Sequence, residues 1–407
     1  MRKAQIILIN RFFHPDISAT SQILSDLAFE LAANGSSVQV VTSRLLYNEY
    51  ATSLLPKDSI RAVQVHRVWT SRFGRGSILG RLCDYLTFYI AAPLKVLQIA
   101  RTGDIIVAKT DPPMISAAVG VVSSLRGAKL INWLQDVFPE VATTLGMKLG
   151  GSLAKVILGR VRDLSWRSAR ANVVLGHRMK EVVHSHAPHC EVFVVPNWSP
   201  NSSVVPLRRE DNPLDQAWGF KGKFVVGYSG NLGRAHELGI VLDAAAHLRS
   251  RTDISFLIIG DGNQKKDLQA RAAQANLTNV IFKPYQPTER LRHSLTLPNV
   301  HLVSLKPALE GLIVPSKFYS SIAAGRAIVF IGASDGEIAV QIAKADCGVT
   351  IRPDDLDGLA QAIQALADNT EYCDRLGRNA RCLFEAEYTR DIAIQKWSEV
   401  LRFAASE

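Results

Sequence analysis

Residues 224–245 read FVVGYSGNLGRAHELGIVLDAA, and this stretch decides the fold class. Phe224, Val225 and Val226 form a short apolar β-type run. Gly227, Ser229, Gly230, Asn231 and Gly233 then supply the small residues that let a backbone turn tightly and approach a ligand closely. Beyond the turn, Leu238, Leu242, Ala245 and Leu248 recur at helical spacing and leave Asp243 and Arg251 to a polar side. A strand, a small-residue turn and a helix make a half-unit of a doubly wound sheet, whose turn aims peptide N–H groups at whatever lies beyond the strand end. An anion such as a diphosphate suits that position, although similar turns also close loops in α/β proteins that bind no phosphate. The stretch is neither the G-x-G-x-x-G dinucleotide fingerprint nor a Walker A loop, which would end in Gly-Lys-Ser/Thr.

Working outward, apolar runs at 255–259, 280–282, 301–304, 327–331 and 348–351 alternate with helical patterns, including 356–366 and 372–385. This predicts a largely parallel second sheet. The first half reads the same way. Ala4 to Asn10 is taken as a strand and not as a signal peptide, a helix covers Ile23 to Ala33, and strands follow at 37–42, 63–69, 104–108, 129–133, 171–175 and 192–195. Pro196 to Pro200 break the pattern and begin a polar linker to about Pro213. Two domains are therefore expected, 1–205 and 214–389, with a last helix near 390–407 returning onto the first.

The chain has 407 residues, 47% hydrophobic and 21% charged, which fits well-buried sheets. Five scattered cysteines imply neither a disulfide framework nor a zinc site, and a reducing cytosol is the simplest compartment. No apolar run approaches the length of a membrane span. The net charge of +10 admits nucleic acid, anionic lipid or an anionic substrate, but no ordered base-reading motif accompanies it, so nucleic acid is not expected. Arg72, Arg75 and Arg81 interleave with Phe73, Ile78 and Leu79 just ahead of Tyr85 to Ile90. That stretch reads either as a surface for an anionic membrane face or as a helix with its arginines in water.

Candidate site residues fall in loops after strands, where ligands of doubly wound sheets bind. Phosphate requires N–H donors with cations. Gly230, Asn231, Leu232 and Gly233 at a helix entrance offer the first, and Arg234, Lys265, Lys266 or Lys317 the second. Gly260 and Gly262 lie in the GDG turn before those lysines. Glu310 suits a ribose or sugar hydroxyl, because a carboxylate accepts from hydroxyls and repels phosphate. In the first half, His14, Ser18, Asp111 and Asp136 occupy corresponding loops; Asp136 is either an acceptor-orienting group or a local cap. His184, His186 and His189 lack the partners of a metal signature and read as a surface loop.

The ordered set QDVFPE (135–140), VVPNW (194–198), GYSGNLG (227–233), GDG (260–262) and PSKFYSSIAAGRAIV (315–329) resembles the retaining GT-B glycosyltransferases of family 4, in particular the bacterial capsule, O-antigen and exopolysaccharide group. The resemblance spans nearly the whole chain. It implies two Rossmann-like domains facing across a cleft, an acceptor on the first and a UDP- or GDP-sugar on the second, with transfer that retains configuration and uses no metal or other cofactor. It further implies donor contacts from Gly230, Asn231, Gly233, Arg234, Gly260, Gly262, Lys265, Lys266, Glu310, Lys317 and Ser320, acceptor contacts from His14, Ser18, Asp111 and Asp136, and catalytic roles for Asp136, Lys266 and Glu310. Ser320 stands where the family's second glutamate usually lies. The acceptor expected is a lipid-linked or soluble saccharide, the former at the cytoplasmic face of the inner membrane. A nucleotide-sugar epimerase, a phosphorylase and a non-catalytic nucleotide-sugar-binding scaffold are the alternatives.

Overall fold

The computed structural model describes residues 4–47, 53–74, 78–147, 149–199 and 204–406. Arg75 of the basic stretch and Pro200 of the linker lie outside them. The chain forms two compact units. One runs to Pro196 and resumes at Asp391, and the other is Asn197–Arg390.

The first unit is built on strands β1 (Ile6–Ile9), β2 (Val38–Ser43), β3 (Lys57–Ile60), β4 (Val63–Val68), β5 (Ile105–Lys109), β6 (Lys129–Trp133), β7 (Ala171–Val174) and β8 (Val192–Val194). Its helices are α1 (Ala19–Ala33), α2 (Ile78–Ile99), α3 (Ile115–Arg126), α4 (Glu140–Thr144), α5 (Ser152–Ser168) and α6 (His177–His186). The sheet order is β3-β4-β2-β1-β5-β6-β7-β8, parallel except for the β3–β4 edge pair. Strands buried on both faces read as continuous apolar runs, as β1 (IILI) and β5 (IIVAK) do, and this is why most of them were legible. Under α2 and α3, Ile7, Ile9, Phe88, Val96, Ile106 and Val119 pack as one core.

The second unit holds α7 (Pro213–Ala217), β9 (Phe224–Ser229), α8 (Gly239–His247), β10 (Ile254–Ile259), α9 (Lys265–Gln274), β11 (Val280–Lys283), α10 (Leu291–Thr296) and β12 (Val300–Ser304). It continues with α11 (Lys317–Ala323), β13 (Ala327–Ile331), α12 (Glu337–Ala345), β14 (Gly348–Ile351), α13 (Leu356–Asp368) and α14 (Thr370–Glu387). All its strands are parallel in the order β11-β10-β9-β12-β13-β14, so the winding reverses between β9 and β12. Tyr228, Leu242, Phe256, Leu302, Val329 and Ile363 belong to its core. The last helix, α15 (Arg390–Ala405), lies on the first unit. Trp397 meets Trp133 edge-on at 4.5 Å between ring centroids, and the Lys129 Nζ donates to the carbonyls of Ala405 and Ser406 at the helix end.

Several expectations need correction. Residues 204–213 are not a free linker: Arg381 donates to the Val204 carbonyl and Arg326 to that of Leu207, clamping the segment onto the second unit. Strand β3 escaped reading because the turn into β4 uses Arg61 and Ala62 at φ 49° and 65°, where a glycine or asparagine would have signalled a hairpin. His184 and His186 sit on helix α6, not in a loop. The helix after GYSGNLG begins at Gly239, well beyond Gly233, so the small turn is not itself a helix entrance.

Candidate functional site

In a doubly wound sheet the crevice for ligands opens at the carboxyl ends of the strands, where the winding reverses. In the second unit that point lies between β9 and β12, and the loops meeting there are 230–238 and 305–316. The first loop is rigidly built. Gly230 N–H donates to the Ile259 carbonyl (2.9 Å) and Leu232 N–H to that of Asp261 (2.8 Å), so two of the four expected amide donors are already engaged. The Gln264 amide side chain donates to the carbonyls of Gly233 (2.5 Å) and His236 (3.1 Å), and the Tyr228 hydroxyl donates to that of Asn231 (2.8 Å). The Asn231 and Gly233 amides carry no protein acceptor among the described residues.

The glycines of GDG serve this loop by close approach. A side chain on Gly260, at φ +146°, would put Cβ 2.0 Å from the Gly230 carbonyl oxygen, and one on Gly262 would lie 2.6 Å from Leu232 O. Gly230 is constrained in turn by Lys317, whose Cε would lie 2.6 Å from an added Cβ.

Lys317, the first residue of α11, places its ammonium under the loop. Its Nζ donates to His236 Nε2 (2.9 Å) and sits 5.2 Å from the centroid of the Tyr228 ring. The other imidazole nitrogen, Nδ1, donates to the Ser304 carbonyl (2.5 Å), which fixes the tautomer. Burial, with the Lys317 charge behind it, lowers the His236 pKa to about 3, so the ring stays neutral. Desolvation lowers Lys317 to about 8, leaving a cation with no carboxylate partner among the described residues. His236 and Gln264 were not singled out from sequence; the only trace was their place within and just after the quoted glycine stretches.

The other expected donor residues are distributed differently. Lys265 is paired with Asp261 at 3.1 Å, whereas Lys266 and Arg234 are exposed and make no ion pair among the described residues. The Glu310 Oε1 accepts from the Glu337 N–H at 2.7 Å, at the N-terminus of α12. Such a capping contact is worth about 0.5–2 kcal/mol to a helix, so removing Glu310 perturbs the scaffold as well as any ligand. Ser320 donates its hydroxyl hydrogen to the Lys317 carbonyl (3.0 Å), leaving only its oxygen lone pairs for a ligand.

The winding of the first unit reverses between β1 and β5. Arg11 N–H donates to the Asp111 carbonyl (2.7 Å) across that point, and Gln135 N–H to Thr110 Oγ1 (3.0 Å), stitching together the loops after β1, β5 and β6. Asp136, an exposed residue, is pushed up to about 6, by desolvation first and the Asp111 charge second. The fully buried Lys109 donates to the Thr20 carbonyl (3.0 Å), faces the Trp133 ring at 4.0 Å, and is lowered by desolvation to about 7. His14 is exposed beside Phe29, its pKa lowered by partial burial and then by Arg61 and Arg67. Ser18 donates both its N–H and its hydroxyl to Asp16 Oδ1, while Oδ2 accepts from Tyr47 N–H, so this pair holds the loop in shape. No cluster of three or more metal-ligating side chains occurs among the described residues.

Residues 211–382, which contain the whole Lys317 cluster, match the family described as glycosyl transferases group 1, and the two Rossmann-like units with parallel sheets make up a GT-B glycosyltransferase fold. Among particular proteins, the chain is similar to the probable glycosyltransferase WbjE of Pseudomonas aeruginosa, 28% identical over 316 residues covering 77% of this chain and 78% of that one. It is also similar to the putative colanic acid biosynthesis glycosyl transferase WcaI of Escherichia coli (strain K12), 24% identical over 396 residues, 91% and 96% of the two chains. Among solved structures, Anabaena Alr3699/HepE in complex with UDP-glucose matches with a TM-score of 0.71 at 15% identity, over 98% of this chain and 99% of that one.

Proposed function

We propose that the chain transfers a sugar from a UDP- or GDP-sugar held by its second unit to a lipid-linked precursor of a cell-surface glycan, with retention of configuration and without a metal. The observation that carries this reading is the half-buried Lys317 ammonium, held by neutral His236 beneath the Ser229–Gly233 turn where the winding reverses. Departure of a nucleoside diphosphate builds negative charge on its terminal phosphate, and groups fixed beforehand lower the barrier most. Lys317, the Asn231 and Gly233 amides and the exposed Arg234 are suited to that charge. Asp136, near neutrality in pKa, is suited to accept a hydrogen bond from the acceptor hydroxyl and orient it. The name of WbjE supports glycosyl transfer, the colanic acid biosynthesis in the name of WcaI supports the glycan setting, and the UDP-glucose bound to HepE supports the donor class.

The competing reading is binding without transfer, and it draws on Ser320 in place of a glutamate and on the engagement of Glu310 with α12. A mass-spectrometric assay separates the two, using the full chain, UDP- and GDP-sugars and polyprenyl-diphosphate-linked saccharides in metal-free buffer. Transfer yields a product heavier by one sugar, lost in Lys317→Met. Donor binding with no product across the panel overturns transfer in favour of a binding protein.

A further inference from the structure

The helices of the first unit carry an apolar surface that its fold does not use. On α2, Phe88, Ala92 and Val96 are fully buried against the sheet, yet Leu79, Leu82, Leu86, Ile90, Leu94 and Leu97 are exposed along the opposite side at spacings of three and four. Helix α5 is inverted relative to an ordinary surface helix. Arg162, Ser165 and Trp166 point inward, while Leu153, Val156, Ile157, Val161 and Leu164 face out, Leu153 at 71% and Leu164 at 64% exposure. Helix α3, which packs against both, adds exposed Val121 and Leu125, so the three outward stripes are neighbours. Phe73, 68% exposed, extends them, since its backbone N–H is held by Asp84 on α2. In the second unit, by contrast, only Val205, Tyr285 and Val340 are exposed large apolar residues among those described.

The charge on these helices selects the occupant. Their only acidic residues are both paired: Asp84 is buried against Arg11 at 3.2 Å, and the half-buried Asp163 is tied to Arg162 at 2.8 Å. The remaining charges are all basic, Arg81 and Lys95 on α2, Arg126 on α3, and Lys155, Arg160 and Arg167 on α5. An apolar stripe edged with cations and free of unpaired carboxylates matches the headgroup and upper acyl region of an anionic bilayer.

We propose that α2, α3 and α5 form a docking face for an anionic membrane surface, inserting their leucines and isoleucines into the interface and pairing their arginines and lysines with lipid phosphates. The proposal deepens the lipid-linked acceptor reading by naming the surface that would bring the first unit to such a substrate, and its purpose rests on that reading. Its test needs no donor, acceptor or turnover, so failure of one does not imply failure of the other.

The full chain is sedimented with vesicles of phosphatidylcholine alone and of phosphatidylcholine mixed equally with phosphatidylglycerol. Binding is expected to the mixed vesicles only and to weaken as salt rises. Leu86→Gln with Ile90→Gln, and separately Leu153→Gln with Ile157→Gln, should lower partitioning about tenfold or more, since each removes two large apolar groups from the interface. Lys155→Gln with Arg160→Gln should lower it by about fivefold per charge removed. All six positions are exposed or solvent-facing, and Val340→Gln on the second unit serves as the control expected to change nothing. The proposal is overturned by absent binding to the mixed vesicles, or by binding that these pairs leave unchanged. A dimer in solution that the same pairs dissociate would also overturn it, assigning the face to a second copy of the chain.

Discussion

Lys317 combines a half-buried position with retained charge, and its two contacts explain how. A hydrogen bond to a neutral imidazole and an aromatic face compensate part of the desolvation, and neither neutralises the ammonium. Its pKa of about 8 gives the proposed donor binding a defined pH course. Below that value the free protein presents a cation; as pH rises through it the cation is lost, so affinity for a UDP- or GDP-sugar should fall between about pH 7 and pH 9. Calorimetric titration across this range should show the decline, and Lys317→Met should bind about 10–100-fold more weakly at pH 7 with the pH dependence between 7 and 9 removed. Sequence alone placed Lys317 in a PSK motif among several equivalent cations. It could not rank them, because the ranking depends on His236 turning Nε2 toward one lysine and on Asp261 occupying another.

At the level of elements, the crevice where the winding of the second unit reverses depends on backbone packed against backbone. The turns after β9 and β10 approach so closely that Gly260 has no room for a methyl group. Gly260→Ala should therefore destabilise the second unit by about 1–3 kcal/mol, measured by urea unfolding, and weaken donor binding through displacement of the Gly230 carbonyl. The strands of this unit were legible almost to the residue, since β10 (ISFLII) and β13 (AIVFI) are buried on both faces and have no competing pattern. Helix α5 was not legible for the opposite reason. Leu153, Val156, Ile157, Val161 and Leu164 do recur at helical spacing, but their stripe faces out and Arg162, Ser165 and Trp166 face in, an orientation that spacing alone does not give. The hairpin of β3 and β4 lacked the turn residues that announce one.

Across the molecule, each unit has its own core, but the chain does not finish one before starting the other. Residues 391–407 complete the first unit by laying Trp397 on Trp133 and Phe403 beside Phe193 and Arg170. A chain ending at Arg390 should lose the first unit's stability by about 3–5 kcal/mol or more, the range for deleting a buried tryptophan, while the second unit keeps the nucleotide-sugar affinity proposed for it. Differential denaturation followed by ligand titration would read both; loss of donor binding in the truncated chain would contradict the division.

The same return of α15 also orders events during synthesis. The Trp133 surface emerges from the ribosome early and stays uncovered until the last helix follows it, roughly 13–53 s later at ordinary elongation rates. A nascent chain thus displays an open apolar face while its middle portion is already free to fold, and that interval is where a chaperone would find it.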